Sequence, residues 1–377
     1  MATIITGSTN GYFPCVVVLS NGDWVVGWNI NMGGALKLYK STDQGETWSD
    51  ISSDWMDGDS LYDFQTPELL ELSNGNIIIT YTYDLKSLKW KFYTAFRIST
   101  DGMATWSDEV VILAPCIDYA EGAAKKGKPI EMQSGHIGIP AYVRKGYLPT
   151  QNVNNLQFRN TFMRWHPDNG AITDAANWEM YYLEDWGYIG TACDEWHCIE
   201  THDAGKLIGF HRSGENAPSN YWKRTSTDQG ETWSDKTLLF QNERATPEQA
   251  LFLNPDTLML TRTWRLSNII KVLYSLDEGA TFKAAETVIL NGSYTSTIDL
   301  WYLSYAEISG GDFLFVYGYL GNIYWTTFSV YPDIYANVGG TFQQVKKVYA
   351  KNSGEWKPAS THANVSGTFT KIADIPQ

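Results

Sequence analysis

The sequence predicts an all-β fold, in which a six-bladed β-propeller over residues 1–330 is followed by a small C-terminal β-hairpin repeat module over residues 331–377. Three observations support this prediction. A short turn motif recurs four times, an apolar hairpin motif recurs six times in phase with it, and a different glycine–aromatic repeat fills the last part of the chain. Self-similarity at a blade-sized period is typical of propellers and solenoids.

The turn motif reads Ser-x-Asp-x-Gly-x-Thr-aromatic, and its near copies are residues 41–48, 99–106, 226–233 and 275–282. In a tight hairpin the Asp accepts hydrogen bonds from turn amides, the Gly supplies a positive φ, and the aromatic ring packs beneath the turn. The second copy has its glycine one position early, at Gly102, and the fourth ends in Phe282. A degenerate fifth copy lies at residues 165–171 and is followed by Trp178, which brings the number of such hairpins to five.

The second motif is an apolar strand, a turn rich in Asn, Asp and Gly, and another apolar strand. Its six copies are residues 16–26, 69–79, 130–139, 198–208, 251–260 and 306–315. Each copy predicts a β-hairpin. Pairing these hairpins with the turn-motif hairpins gives six four-stranded blades. The sixth blade lacks the turn motif, and we expect the N-terminal strand to complete it.

Composition narrows the classes of function. The chain is 14% aromatic, with 16 Trp and 23 Tyr, which suits an all-β fold and the stacking of rings on sugar faces. A net charge of −14 disfavours nucleic-acid binding. No apolar run is long enough to span a membrane, and the first residues lack a signal peptide's basic and hydrophobic regions. The cysteines lack metal-ligand spacing, and we expect neither a metal nor a cofactor.

The turn motif resembles the Asp-box, or BNR repeat, of the sialidase (neuraminidase)-like six-bladed propellers. Residues 195–200, then Gly205, then Arg212 resemble the family's order of a glutamate that opens an inner strand, a second glutamate, a turn and an arginine. The resemblance implies that Glu195 is the base that activates a nucleophilic tyrosine. It also implies that Arg212 binds a carboxylate, because the guanidinium forms bidentate contacts.

The resemblance also implies a nucleophile and a second arginine. Tyr305 opens the last inner hairpin and is the implied nucleophile, with Tyr302 as the alternative. A tyrosine is a weak nucleophile at its usual pKa, so a neighbouring carboxylate is needed. Arg262 and Arg265 both precede the last Asp-box, and Arg265 is nearer to the family spacing. Three more residues are expected to contact substrate at the same channel mouth, namely Tyr12, Trp264 and Glu248.

Two departures from the family pattern leave the reaction open. The family's Arg-Ile-Pro motif is replaced by Tyr12, Phe13 and Pro14, and residues 29–37 contain no carboxylate to serve as the acid/base Asp. Asp63 of the second blade is the expected substitute. One hypothesis is therefore a glycoside hydrolase-like, exo-sialidase-related site for a cell-surface glycan. The alternative is a non-catalytic glycan-binding propeller, such as a phage receptor-binding subunit, and a lyase is a third, weaker hypothesis.

The tail follows a different rule. Three glycine–aromatic repeats at residues 335–342, 349–356 and 362–369 resemble the ends of some phage tail and virion proteins. Three such units are small for an independent core, so we expect the tail to dock on the propeller or to join chains into a homo-oligomer. The resemblance, with the absent signal peptide, implies a virion-associated protein that is cytoplasmic until release. The basic turn at residues 125–128 is expected to be solvated.

Overall fold

The computed structural model describes residues 3–5, 10–31, 34–57, 62–85, 88–113, 120–125, 127–145, 157–188, 193–213, 219–243, 249–254, 256–264, 269–289, 300–309, 312–319 and 322–329, together with 334–338, 341–345, 349–352, 355–358, 361–365 and 368–373. Within these residues the regular structure is β, apart from short 3₁₀ turns at Asp54–Asp57, Pro167–Asn169 and Ala175–Asn177. None of their helices is long and apolar enough to cross a membrane. The predicted all-β class is confirmed.

Six antiparallel blades surround a central channel, and each blade is counted from its innermost strand outwards. Blade 1 has Gly11–Val18, Trp24–Ile30, Leu36–Ser41 and Ser49–Asp50, and blade 2 has Tyr62–Glu71, Ile77–Leu85, Leu88–Ser99 and Val110–Leu113. Blade 3 has Ala120–Lys125 with Ile130–Glu131, then Ile137–Lys145, Gln157–Trp165 and Trp178–Tyr182 with Gly187–Tyr188. Blade 4 has Cys193–Glu200, Leu207–Ser213, Ser219–Ser226 and Thr237–Glu243.

The last two blades close the ring. Blade 5 has Ala250–Asn254, Thr257–Trp264, Ile269–Ser275 and Lys283–Ile289, and blade 6 has Leu300–Ser309, Asp312–Tyr319 and Asn322–Ser329. The fourth strand of blade 6 is the N-terminal Thr3–Ile4, which pairs with Asn322–Ser329. The expectation that the N-terminal strand completes the sixth blade is confirmed. One difference from six separate sheets is that Gly122 pairs with Phe92, which joins blades 2 and 3.

The Asp-boxes form a hydrogen-bonded turn at the outer edge of four blades. In blade 1 the Ser41 hydroxyl donates to Asp43 Oδ1 at 2.8 Å, and the Gly45 amide donates to Ser41 Oγ at 2.7 Å. The amide and hydroxyl of Thr47 donate to the two carboxylate oxygens of Asp43. The same four bonds recur in blades 2, 4 and 5. These donors hold the pKa of each box aspartate below its usual range.

The second Asp-box keeps the same turn geometry although its glycine lies one position early. Gly102 takes the position of Gln44 in the first box, and Met103 takes the position of Gly45. Met103 nevertheless adopts the left-handed φ of 76° that the turn requires. Its amide makes the same bond to the Ser99 hydroxyl that the glycine amide makes elsewhere. The turn geometry is therefore kept at the cost of an unusual backbone conformation for a bulky residue.

Buried apolar clusters fill the interfaces between neighbouring blades. The box aromatics join them: Trp233 lies against Phe162 of blade 3, and Phe282 lies against Phe210 and Phe240 of blade 4. The aromatic residue predicted to pack beneath its own turn thus also packs on the preceding blade. Gly230 is needed for this contact, because an added Cβ would lie 2.3 Å from the Phe162 ring.

Glutamates at the ends of inner strands connect consecutive blades. Glu71 accepts hydrogen bonds from the Ser20 amide at 2.6 Å and from the Ser20 hydroxyl at 2.8 Å. Glu131 makes the same two bonds to Ser73. Glu200 accepts from the Gln133 amide at 2.6 Å. The second glutamate of the sialidase-like stretch is therefore part of a repeated contact between turns.

In the tail, three two-stranded antiparallel sheets follow the propeller. They pair Ile334–Val338 with Thr341–Val345, Tyr349–Asn352 with Glu355–Pro358, and Thr361–Val365 with Thr368–Ala373. These are the predicted strand–turn–strand units. The domain boundary at residue 330 stays a prediction, as does the role of the tail in joining chains.

Candidate functional site

The channel has two ends, which we call the strand-start mouth and the turn mouth. The strand-start mouth is bordered by the beginnings of the innermost strands, where Tyr12, Asp63 and Glu195 lie. The turn mouth is bordered by the turns that follow those strands. At the strand-start end, the ladder between the first two strands is irregular in blades 1, 2, 4 and 6. Such β-bulges turn side chains away from the regular alternation and are frequent next to active sites.

Glu195 and Arg212 form a buried ion pair at this mouth. The Arg212 Nη2 atom lies 3.1 Å from Glu195 Oε2, and the two side chains are 4% and 6% exposed. The bulge between Cys193 and Trp196 places Glu195 opposite the end of the second strand, where Arg212 lies. The two residues that the family resemblance singled out are thus brought into direct contact. A carboxylate held against a guanidinium is a strong acceptor for ligand hydroxyl or amine donors.

The strand under the ion pair is fixed by stacked rings. The Trp196 indole stacks on His211 with centroids 4.8 Å apart, and its N–H donates to the Ala141 carbonyl at 2.6 Å. The Asn160 side chain lies 2.8 Å from His211 Nδ1. Burial lowers the pKa of His211 well below its usual value, so the ring is neutral. Blade 3 thereby holds in place the two strands that carry Glu195 and Arg212.

Tyr305 lies deeper in the channel than Glu195. Its side chain is 2% exposed, and its ring stacks on Phe315 with centroids 5.4 Å apart. Its amide donates to Gln249 Oε1 at 3.0 Å. The ring belongs to the apolar cluster between blades 5 and 6. Tyr305 thus has the contacts of a packing residue that also lines the channel.

Strand register explains this depth. The last regular pair before the turn involves Glu200 in blade 4 and Glu307 in blade 6, where a register shift follows Glu307. Counting back five residues from each gives Glu195 and Tyr302, and both lie in the bulge of their strand. Tyr305 is three residues nearer to the turn, about 10 Å along the strand. The register therefore places Tyr302, the alternative in the sequence, level with Glu195.

Arg262 points away from the channel. Its guanidinium lies 4.0 Å from the Phe240 centroid and 4.7 Å from the Tyr221 centroid, on the two outer strands of blade 4. The residue is 4% exposed, and burial lowers the pKa of its guanidinium to about 10. These cation–π contacts give Arg262 a role at the blade 4–blade 5 interface.

Of the five other predicted site residues, the structure describes two in full. Tyr12 and Asp63 are half-buried at the starts of the first strands of blades 1 and 2, where they pair with Asn29 and Asp84. Arg265 and Glu248 lie outside the described residues, and so does the side chain of Trp264. Their predicted contacts with substrate stay predictions.

The β-bulges are the feature that sequence reasoning missed. A bulge adds a residue to one strand, so spacing from a motif no longer gives depth in the channel. One signal was available, because the turns are recognisable in the sequence and depth can be counted back from them. That count would have favoured Tyr302 over Tyr305.

The chain belongs to the BNR repeat-like domain family, whose sequence pattern matches residues 56–291. No curated protein sequence matches the chain. This family assignment agrees with the repeats and with the blade arrangement described above.

Solved structures share the fold at low sequence identity. A protein of unknown function from Dyadobacter fermentans is 18% identical with a TM-score of 0.65, over 88% of this chain and 98% of that one. A leech intramolecular trans-sialidase is 14% identical with a TM-score of 0.60, over 87% and 69%. A Penicillium chrysogenum α-L-arabinanase is 14% identical with a TM-score of 0.59, over 87% and 97%. These likenesses establish the six-bladed, sialidase-like propeller.

Proposed function

We propose that the protein is a carbohydrate-active propeller that recognises a glycan at the strand-start mouth. The observation that carries this proposal is the buried Glu195–Arg212 pair. Removing a guanidinium and a carboxylate from water is costly, and apolar residues in their place would often be at least as stable. The pair is therefore better explained by a polar ligand than by stability. The neighbours that act on sialosides and arabinans have the same fold, which supports a glycan as ligand.

In this proposal the two groups divide the recognition. Arg212 donates hydrogen bonds to acidic or hydroxyl oxygens of the sugar, and Glu195 accepts hydrogen bonds from its hydroxyl groups. Tyr12 and Asp63 border the same mouth and would contact the outer part of the glycan. The many aromatic side chains suit the apolar faces of sugar rings.

Hydrolysis is the second candidate function, and one observation favours it. Tyr302, whose side chain lies outside the described residues, shares the backbone register level of Glu195, which supports a pairing of a tyrosine with a carboxylate. Glu195 would take the proton of the Tyr302 hydroxyl while the phenolic oxygen attacks the anomeric carbon. Departure of the leaving group also needs a proton donor, and Asp63 remains the proposed donor.

The test of recognition compares two buried ion pairs. Arg212→Met should weaken retention on a glycan surface by about 10- to 100-fold, because it removes charge-assisted hydrogen bonds. Arg224→Met is the matched control, because Arg224 of the third strand of blade 4 lies 2.7 Å from Glu184 of blade 3, where no ligand is proposed. Equal losses in the two variants would show a folding effect. Full binding by Arg212→Met would place the site elsewhere.

The test of hydrolysis uses fluorogenic sialosides and arabinosides. If the protein hydrolyses one of these substrates, Tyr302→Phe and Glu195→Gln should each lower the rate of hydrolysis by at least about 10²-fold, because each removes a reacting group. Tyr305→Phe should retain most of the rate. The reverse order of the two tyrosine variants would contradict the register argument. Binding without release of fluorophore from any substrate would mean that the protein recognises a glycan but does not hydrolyse it.

A further inference from the structure

The turn-mouth half of the channel contains a second polar site, away from the ion pair. Counting back three residues from the last regularly paired residue before each turn, which is Phe252 in blade 5 and Glu307 in blade 6, gives one residue in or next to every innermost strand. We call these six residues the channel layer; they are Cys15, Glu68, Lys128, His197, Gln249 and Ser304. Five of the six carry a polar or charged side chain at one level of the channel.

Hydrogen bonds show that this layer is connected across blades. Gln249 Nε2 donates to Ser304 Oγ at 3.1 Å, and Ser304 Oγ also accepts from the Val16 amide at 3.1 Å. The Lys128 ammonium crosses the channel and donates to the Val16 carbonyl at 3.2 Å. Blades 1, 3, 5 and 6 are therefore joined by polar contacts at this level.

Lys128 differs from the solvated lysine that the basic turn suggested. The inner strand of blade 3 is broken between Lys125 and Ile130, and Gly127 makes the break possible. A Cβ on Gly127 would lie 2.4 Å from both Pro140 and the Trp196 carbonyl. Lys128 follows this close approach and reaches Val16 of blade 1. Burial lowers the pKa of its ammonium, and Glu68 opposes that change.

A cavity of about 260 Å³ lies against this layer. Lys128, His197, Gln249 and Tyr305 supply its polar lining, and valine, isoleucine and leucine side chains supply apolar walls. Glu307, which is exposed, also lines the cavity. Small-molecule sites have volumes of roughly 300–1,000 Å³, so this cavity suits a ligand of monosaccharide size.

His197 gives the strongest indication of an occupant. The residue is 4% exposed, and Nε2 lies 3.2 Å from the Ala250 carbonyl, so Nε2 carries the proton and donates. The Nδ1 atom is then an acceptor, and it is buried with no hydrogen-bond partner among the described residues. Leaving a buried polar atom without a hydrogen bond is costly, because the atom has lost its contacts with water. A hydroxyl group in the cavity would supply the missing donor.

We propose that the turn-mouth cavity binds a small, neutral, polyhydroxylated molecule of free-monosaccharide size. One hydroxyl donates to His197 Nδ1, and a neighbouring hydroxyl accepts a hydrogen bond from the Lys128 ammonium, which uses one of its three N–H groups on Val16. The negative charge of Glu68 offsets the positive charge of Lys128, which favours a neutral ligand over an anion. The apolar walls contact the C–H face of the sugar.

The experiment observes His197 directly. Long-range proton–nitrogen NMR spectra of histidine-labelled protein are recorded during titration with arabinose, xylose, galactose or glucose, and the His197→Gln spectrum assigns the signal. The Nδ1 resonance should move in a saturable way with at least one sugar. Lys128→Met should weaken the binding of that sugar by about tenfold, because one hydrogen bond is lost. Lys37→Met is the control, because Lys37 pairs with Asp57 at the surface.

Three results would overturn the proposal. An Nδ1 resonance that none of the four sugars moves would mean that the cavity holds only water. Arg212→Met separates the two sites, because it should weaken glycan retention while the His197 signal still responds to the sugar. Loss of the His197 response in Arg212→Met would place the sugar at the strand-start mouth. An unchanged affinity in Lys128→Met would also contradict the assigned contact.

Discussion

The rim and the axis of this propeller share one backbone repeat, but the side chains repeat at the rim and differ from blade to blade at the axis. At the rim, four Asp-boxes repeat the same Ser, Asp and Thr side chains and the same four hydrogen bonds. At the axis, six innermost strands present six different residues at one register level, as the channel layer shows. The turn geometry dictates the rim residues, whatever the protein binds. Nothing in the backbone dictates the channel layer, so function is expected there and at the strand-start mouth.

This difference separates two kinds of substitution. A change at the rim should cost stability and leave ligand binding intact once the protein is folded. A change at the axis should alter binding or titration, and some axial changes should even spare stability, because buried charges are costly to keep. The following predictions test that separation, from the largest expected effect to the smallest.

The largest effect is expected at the axial ion pair. Arg212→Met leaves Glu195 charged and buried without its cation, which should lower the free energy of unfolding by about 3–5 kcal/mol. The double variant Arg212→Met, Glu195→Leu should recover most of that loss, because both charges are gone. Urea denaturation of the two single variants and the double variant measures the coupling. Additive losses would mean that the pair is not coupled.

Acid should destabilise the protein through His197. Burial lowers the pKa of this imidazole to about 4, whereas the unfolded chain binds a proton near pH 6.5. The unfolded state therefore takes up the proton first as pH falls. The free energy of unfolding should drop by about 3 kcal/mol between about pH 6.5 and about pH 4, and level off below that range. His211 adds a change of the same sign.

Urea titrations across that range, repeated on His197→Gln, measure this contribution. The variant should show a shallower pH dependence, because its side chain binds no proton. A slope equal to that of the wild type would assign the proton uptake to other groups.

Two glycines give a matched comparison at the rim and at a turn. Gly22 and Gly230 both have φ of 89°, so alanine is strained equally at each. An added Cβ meets nothing within 4 Å at Gly22 but lies 2.3 Å from Phe162 at Gly230. Gly230→Ala should therefore cost about 1–3 kcal/mol more than Gly22→Ala. Equal melting temperatures would show that the box turn can move away from blade 3.

The smallest effect is expected within a single Asp-box. Thr232→Val removes the hydroxyl that donates to Asp228 and keeps the shape of the side chain. The expected cost is about 1 kcal/mol, as for one hydrogen bond. The same change at Thr47, Thr105 or Thr281 should cost a similar amount, because the bonds are the same. Glycan retention should not change in any of the four. A loss of binding would contradict the assignment of the boxes to the rim.

Much of the fold was predictable, because its determinants are local. A box turn is closed by residues within four positions of one another, so the motif by itself predicts the hairpin. The alternation of apolar strands and turns then predicts the blades, and the absence of a sixth box predicts that another strand must close the ring. Glu195 and Arg212 were also predictable as a pair, because they lie on adjacent strands of one hairpin.

The sequence by itself thus determined the repeat and the all-β class, and it singled out the two residues that form the ion pair of blade 4. Only the tertiary structure decided which residues share a level of the channel. Bulges shift register by one residue, which moved Tyr305 below Glu195 and left Tyr302 level with it. Blade packing directed Arg262 onto aromatic rings, and a strand break directed Lys128 inward. These outcomes depend on contacts between residues far apart in the chain, which form only when the ring of blades closes.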